Sequence, residues 1–309
     1  MMLKNILICG IGGVGGYFGG KIAYKINSVK NPPYNIFFLA RGKHLEEIQK
    51  QGLELHTSEN ETLLCKPTLA SDDINDFPPP QLCFICVKSY DLDALINQIQ
   101  HKLMNDTCII PLMNGIDIYE RIRKNLKKSI VFPSCVYVGS HIEKPGVVIQ
   151  TGNPGFFRLG YDPKYPHFKP NKILELFKEL KIKAIWEDNP NPAIWEKFLL
   201  VASFALVSAH YSQTLGQIIE DKQSRHLLEK IMEEIVMIAN KKGISLKKNI
   251  IQDTIDFCRY YPKVIPSYSR DVQKGGKNEG DLYGGAIIRM GKKYEVPTPT
   301  TASVYNQDL

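Results

Sequence analysis

No disulfide framework is written into this chain. Its seven cysteines are an odd number without the regular spacing of a stapled domain, and most fall in apolar runs such as Ile8-Cys9 and Cys108-Ile109, so they read as reduced, buried thiols. Cys83 and Cys86 do form a CxxC, but inside Leu82-Cys83-Phe84-Ile85-Cys86-Val87, a run that reads as a central strand. Residues three apart on a strand face opposite sides, which argues against a shared metal or disulfide; no metal is expected. A dense basic block is also missing. The formal charge of +7 is spread along the chain, which disfavours a nucleic-acid partner and leaves room for an anionic small molecule. The opening Met1 to Cys9 holds one short apolar run, cut off by a glycine loop, and so reads neither as a signal segment nor as a membrane span. A cytoplasmic location and no membrane partner are the expectation. Neither a low-complexity tract nor a repeat at a solenoid period is visible.

What is present is the composition of an ordinary folded protein, 43% hydrophobic and 23% charged over 309 residues, a length that calls for two domains. In the first half, strand-like runs at Asn5 to Cys9, Tyr34 to Leu39, Gln81 to Val87, Cys108 to Leu112 and Ile130 to Val138 alternate with helical patterns. The helices are expected at Gly15 to Ile26, His44 to Gln51, Leu92 to Lys102 and Ile116 to Leu126. Such alternation predicts an α/β fold with a Rossmann-like, doubly wound parallel sheet. Val147 to Gly160 reads as a hairpin around Thr151-Gly152-Asn153-Pro154-Gly155 that closes the sheet edge. A helix at Pro170 to Leu180 and a strand at Ala184 to Glu187 finish this half. The prolines and turn formers of Asp188-Asn189-Pro190-Asn191-Pro192 mark a boundary, giving domains 1–188 and 189–309. Beyond it the pattern is all-α, with helices at Ile194 to His210, Ser224 to Lys241, Leu246 to Tyr260 and Glu279 to Lys292. An α/β domain followed by a helical one is expected to leave a cleft suited to a small ligand.

Gly10-Ile11-Gly12-Gly13-Val14-Gly15 fits G-x-G-x-x-G between the first strand and the first helix. In that context the first glycine makes the turn, the second lets a pyrophosphate approach, and the third packs helix on strand, while N–H groups at the helix start attract the anion. The second strand ends in Ala40-Arg41-Gly42-Lys43-His44, with no acid there for a ribose 2′-hydroxyl. Arg41 matches a 2′-phosphate, so NADP(H) is the expected coenzyme, and Lys43 is read as incidental. Two other strand ends carry Lys88, which can reach a phosphate or carboxylate, and Asn114, whose amide can fix a substrate or nicotinamide group. Plainer readings stay open: Arg41 as a solvated loop residue, Lys88 as a surface lysine, Asn114 as the start of a turn.

Together with Val87-Lys88, Asn114-Gly115, Trp195-Glu196-Lys197, Ser267 through Asp271 and Glu279, these motifs resemble the ketopantoate reductase family in order and spacing over nearly the whole length. The resemblance implies that Lys197 is the general acid that protonates the substrate carbonyl oxygen as NADPH delivers hydride. Lys88 and Asn114 would line the cleft, Ser267 would hold the substrate carboxylate, and Glu279 would orient a substrate hydroxyl or the lysine. It also implies a homodimer through the helical domain, and a final helix beginning in the tail from Pro297 to Leu309. The chemistry is coherent, because a ketone receiving hydride develops an alkoxide that needs a proton and a nearby positive charge. Lys197 as an ordinary helix lysine, Glu279 as a first-turn glutamate and Ser267 as a turn residue are the alternatives. One departure concerns the substrate: the family commonly places asparagines where this chain has Val201 and Ala205, on the face of Lys197. Ser208 is nearly on the same face. Three readings follow: reduction of ketopantoate to pantoate in pantothenate and coenzyme A biosynthesis, reduction of another 2-oxo acid, and a non-catalytic NADP(H)-binding regulatory protein.

Overall fold

Strands and helices interleave through the first 190 residues, with two runs of consecutive strands that the periodicities did not separate by helices, and a computed structural model describes residues 3–307. In chain order the elements are β1 (Asn5–Cys9), α1 (Gly13–Asn27), β2 (Asn35–Leu39), α2 (Gly42–Gln51), β3 (Leu53–His56), β4 (Thr62–Cys65), β5 (Leu69–Ser71) and β6 (Leu82–Ile85). Then follow α3 (Leu92–Ile99), β7 (Cys108–Pro111), α4 (Ile118–Asn125), β8 (Ile130–Val131), β9 (Ser134–Lys144), β10 (Val147–Gly160), α5 (Asn171–Glu179) and β11 (Ala184–Glu187). Six of the strands form one parallel sheet in the order β5-β2-β1-β6-β7-β8, the doubly wound arrangement. Both faces are covered. Ile6, Ile8, Phe38 and Phe84 join a core with Phe18, Phe157 and Phe177, while the alternate residues Leu7, Phe37 and Cys83 point the other way and are buried too.

A second sheet, ordered β11-β10-β3-β4 with β9 paired to β10, corrects the expected edge hairpin. Val147–Gly160 is one long strand, and Thr151 to Pro154 is an irregularity inside it: the register against β9 shifts between Thr151 and Phe156. A short run of turn residues opposite a continuous partner makes a bulge instead of a reversal. The β9 part of the expected strand Ile130 to Val138 likewise leaves the first sheet after β8. Helix α1 is squeezed between the sheets because it is rich in glycine. A Cβ on Gly19 would press on Ile8 and Phe38 of the parallel sheet, and one on Gly16 would meet Val148 of the second.

Contacts divide the chain into two units, one comprising everything up to Met113 with Ile118–Pro190, the other Asn114–Asp117 with everything from Asn191. The second is helical: α6 (Asn191–Tyr211), α7 (Leu215–Glu220), α8 (Lys222–Lys241), α9 (Ile250–Arg259), α10 (Ser267–Lys274), a π-turn at Asp281–Gly285, α11 (Ala286–Tyr294) and α12 (Pro299–Gln307). Asn191 and Pro192, expected in the linker, form the first turn of α6, where a proline's missing N–H has no intrahelical partner to lose. This helix is long and apolar enough to cross a membrane, yet 72% of its most apolar window is buried, and it packs on α8 and α10. Glu234 of α8 is a buried carboxylate that holds the start of α12. It accepts from the N–H of Thr300 at 2.7 Å and of Thr301 at 3.0 Å, and from the Thr301 hydroxyl at 2.6 Å.

Candidate functional site

The turn from β1 into α1 has the geometry its glycines permit. Gly10 adopts φ +91°, which side-chain-bearing residues rarely do, and its N–H donates to the Leu39 carbonyl at 2.9 Å, tying the loop to the end of β2. A Cβ on Gly15 would overlap the Gly10 carbonyl oxygen, so this glycine is fixed by packing. Gly12 is different. A Cβ there would project into open space, and Gly12 caps α1 without any side-chain hydrogen bond, which leaves the helix start facing that space.

The space is a cavity of about 420 Å³ lined by Gly10, Ile11, Gly12, Arg41, His44, Asp72, Lys88 and Asp91, among others. Of the residues expected around a coenzyme, the structure therefore brings Gly10, Ile11, Gly12, Arg41 and Lys88 to one cavity. Gly15 packs closely, as its place in the motif requires, Gly13 packs against the Ser140 backbone, and Val14 lies partly buried against the core. Uncapped amides, a guanidinium and an ammonium around an opening of this size fit a phosphate-bearing ligand. Cys86 also lines the cavity, and burial pushes its thiol pKa up.

Three of these residues had no role in the sequence reading. Asp91 lies at 2.7 Å from Arg41, so a carboxylate does stand beside the guanidinium, although none precedes it on β2. Asp72, at the end of β5, is a second. Ion pairs between residues fifty apart leave no local pattern to read. His44 had a visible signal, being three residues past Arg41 on the same helix start. Its Nδ1 accepts from the Gly146 N–H at 3.0 Å, which leaves the proton on Nε2, an atom shielded from solvent and without a hydrogen bond of good geometry. Burial lowers the His44 pKa, and the facing Ile11 carbonyl only partly offsets it. Lys43 borders a separate depression with Glu46, Glu47 and Glu54.

The helical unit carries the other expected residues. Lys197 is half-buried on α6, and its neighbours set the rotation of that helix: Trp195 is 1% exposed beneath the Lys242 ammonium at 5.8 Å, and Glu196 pairs with Lys247 at 3.7 Å. The Lys197 charge acts on the buried thiol of Cys258, opposing the burial that pushes that thiol up to about 12. Asn114 donates from Nδ2 to the phenol oxygen of Tyr283 at 3.4 Å, and the Glu279 carboxylate lies close enough to raise the pKa of the same phenol. Arg289 ties the 114–117 segment down, bonding both Asp281 and, at 3.2 Å, Asp117. Ser267 is exposed as the first residue of α10, whereas Ser269 is buried with its hydroxyl unpartnered. Ala205 is fully buried, Val201 half-buried, and the Ser208 hydroxyl is spent on the Gln213 carbonyl at 2.6 Å, so Ser208 caps the end of α6.

The family model described as ketopantoate reductase PanE/ApbA matches residues 6–164, and that of its C-terminal part matches 189–307. YkpB of Bacillus subtilis, described as an uncharacterized oxidoreductase, is 26% identical over 304 residues, covering 97% of this chain and 96% of its own. Among solved structures, a PanE/ApbA family ketopantoate reductase from Ralstonia eutropha superposes with a TM-score of 0.87 at 22% identity, covering 99% of this chain and 97% of that one. D-mandelate dehydrogenase, solved with NADH and anilino(oxo)acetate, superposes with a TM-score of 0.84 at 20% identity, with the same coverage of 99% and 97%.

Proposed function

Since the chain belongs to the ketopantoate reductase family, and is an oxidoreductase, we propose that it reduces 2-dehydropantoate to pantoate with NADPH, the step that feeds pantothenate and coenzyme A synthesis. The observation that carries this reading is the convergence of Gly10, Gly12, Arg41 and Lys88 on one cavity. The open side of Gly12 and the α1 amides would take the pyrophosphate, Arg41 the 2′-phosphate, and Lys88 further negative charge. When bound, the coenzyme supplies the hydride. Lys197 gives a proton from Nζ to the substrate carbonyl oxygen, and its charge stabilises the alkoxide as that oxygen becomes negative. Asn114 holds an amide or hydroxyl through the Oδ1 left over from its bond to Tyr283, and Glu279 orients the substrate hydroxyl or the lysine. Ser267 and the first amides of α10 take the substrate carboxylate.

A second reading rests on Val201 and Ala205. An isopropyl and a methyl group cannot hydrogen-bond a hydroxyl, so the face beside Lys197 suits a 2-oxo acid with an apolar side chain. The fold shared with D-mandelate dehydrogenase supports the same direction. The test is oxidation of NADPH, and of NADH in parallel, with 2-dehydropantoate and a panel of branched and aromatic 2-oxo acids. The proposal expects the highest kcat/KM with 2-dehydropantoate and NADPH. A higher value with an apolar 2-oxo acid replaces the substrate, and tight coenzyme binding without turnover on any of them replaces catalysis with a regulatory role.

A further inference from the structure

Two helix starts border the cavity. Asp91 ends the 3-10 turn Ser89–Asp91 that runs straight into α3, and with helical dihedrals its side chain makes no capping bond. Its carboxylate instead takes Nη2 of Arg41 at 2.7 Å, while its backbone N–H is pinned to the Lys88 carbonyl at 3.0 Å. Arg41 in turn is the N-cap of α2, and the first turn of that helix carries Lys43 and His44 and no acid. Basic groups at the positive end of a helix dipole call for an anion. Asp91 is the anion bonded to Arg41, whose side chain remains 80% exposed.

We propose that Asp91 sets coenzyme discrimination: its carboxylate occupies a guanidinium edge that a 2′-phosphate would use, and so narrows the preference of this pocket for the phosphorylated coenzyme. The proposal rests on the reading that a nicotinamide dinucleotide binds here. A 2′-phosphate approaching Arg41 must share the guanidinium with the carboxylate or displace it, and the two anions repel. An unphosphorylated ribose meets no such competition. Removing the charge at residue 91 while keeping its shape frees Arg41 for the phosphate and leaves the rest of the pocket unchanged.

The experiment is calorimetric titration of NADPH and NADH into the full-length protein, wild type, Asp91→Asn, Arg41→Ala and the double variant, at fixed ionic strength, with melting temperatures as the folding control. Asp91→Asn is expected to lower the NADPH Kd about 3- to 5-fold, the scale of one exposed charge-assisted contact, and to change the NADH Kd by less than about 1.5-fold. In the Arg41→Ala background the same change should leave NADPH binding unaltered. If Arg41→Ala weakens NADPH selectively but Asp91→Asn leaves the NADPH to NADH ratio unchanged or lowers it, the role of Asp91 is overturned while the coenzyme site stands. If the wild type binds neither coenzyme, the site assignment falls and this proposal with it.

Discussion

The amide of Asn114 donates to the hydroxyl of Tyr283, 169 residues further along the chain. The π-turn at Asp281–Gly285 inserts an extra residue into the helical path between Glu279 and α11, and Tyr283 sits at its centre. Its ring is 1% exposed, edge-on to Tyr268 at 5.5 Å. Burial, with the nearby Glu279 charge, holds the phenol pKa far above its usual value, so the hydroxyl stays protonated and acts as a fixed polar anchor.

Tyr283→Phe removes that anchor with little change of shape. Loss of one hydrogen bond should destabilise the protein by about 1 kcal/mol. If the pair positions Asn114 for the substrate, KM should rise several-fold with kcat falling less, and Tyr283→Phe should add little in an Asn114→Ala background. Unchanged kinetics with only a lower melting temperature would make the pair purely structural.

Two glycines of one motif should respond oppositely to alanine. Gly15→Ala drives a methyl group into the Gly10 carbonyl, so a loss of about 3 kcal/mol or more, or failure to fold, is expected. Gly12 has φ −85° and free space before it, so Gly12→Ala should fold and melt close to wild type while weakening dinucleotide binding ~10-fold or more. Undiminished binding by Gly12→Ala would remove the pyrophosphate from that position.

His44 links stability to pH. Its folded-state pKa lies below the ordinary histidine value, so on acidification the unfolded chain takes up the proton first. The contribution of the neutral ring is complete above about pH 6.5 and declines as the pH falls from there towards the depressed folded value. Denaturation midpoints of wild type and His44→Gln should therefore converge as the pH falls from ~7.5 to ~5. A constant difference across that range would contradict the assignment.

The parallel sheet was legible because each of its main strands is a short run of β-branched and aromatic residues between glycine-rich or amphipathic stretches. Asn5–Cys9 has the bounds expected from sequence, and the long helices differ at their ends by a few residues. The β3–β4 pair was missed because neither Leu53–His56 nor Thr62–Cys65 holds the run of β-branched and aromatic residues that marked the other strands, and β5 has three residues. Sequence also cannot tell a hairpin from a bulged single strand when the deciding factor is the partner, here β9. Arg41 and Lys88 stood out because strand ends in a doubly wound sheet face the ligand. Asp91 and Tyr283 did not, because their significance lies in partners brought close only by the fold.

The proposed reduction turns on Lys197 giving the proton to the carbonyl oxygen. The most direct measurement is turnover by Lys197→Ala with saturating NADPH and the best substrate of the panel, alongside calorimetric coenzyme affinity. In this variant kcat is expected to fall 10²- to 10⁴-fold, roughly 3 to 5 kcal/mol in the barrier, with the coenzyme Kd within a few-fold of wild type. A variant that retains near-normal kcat would contradict it.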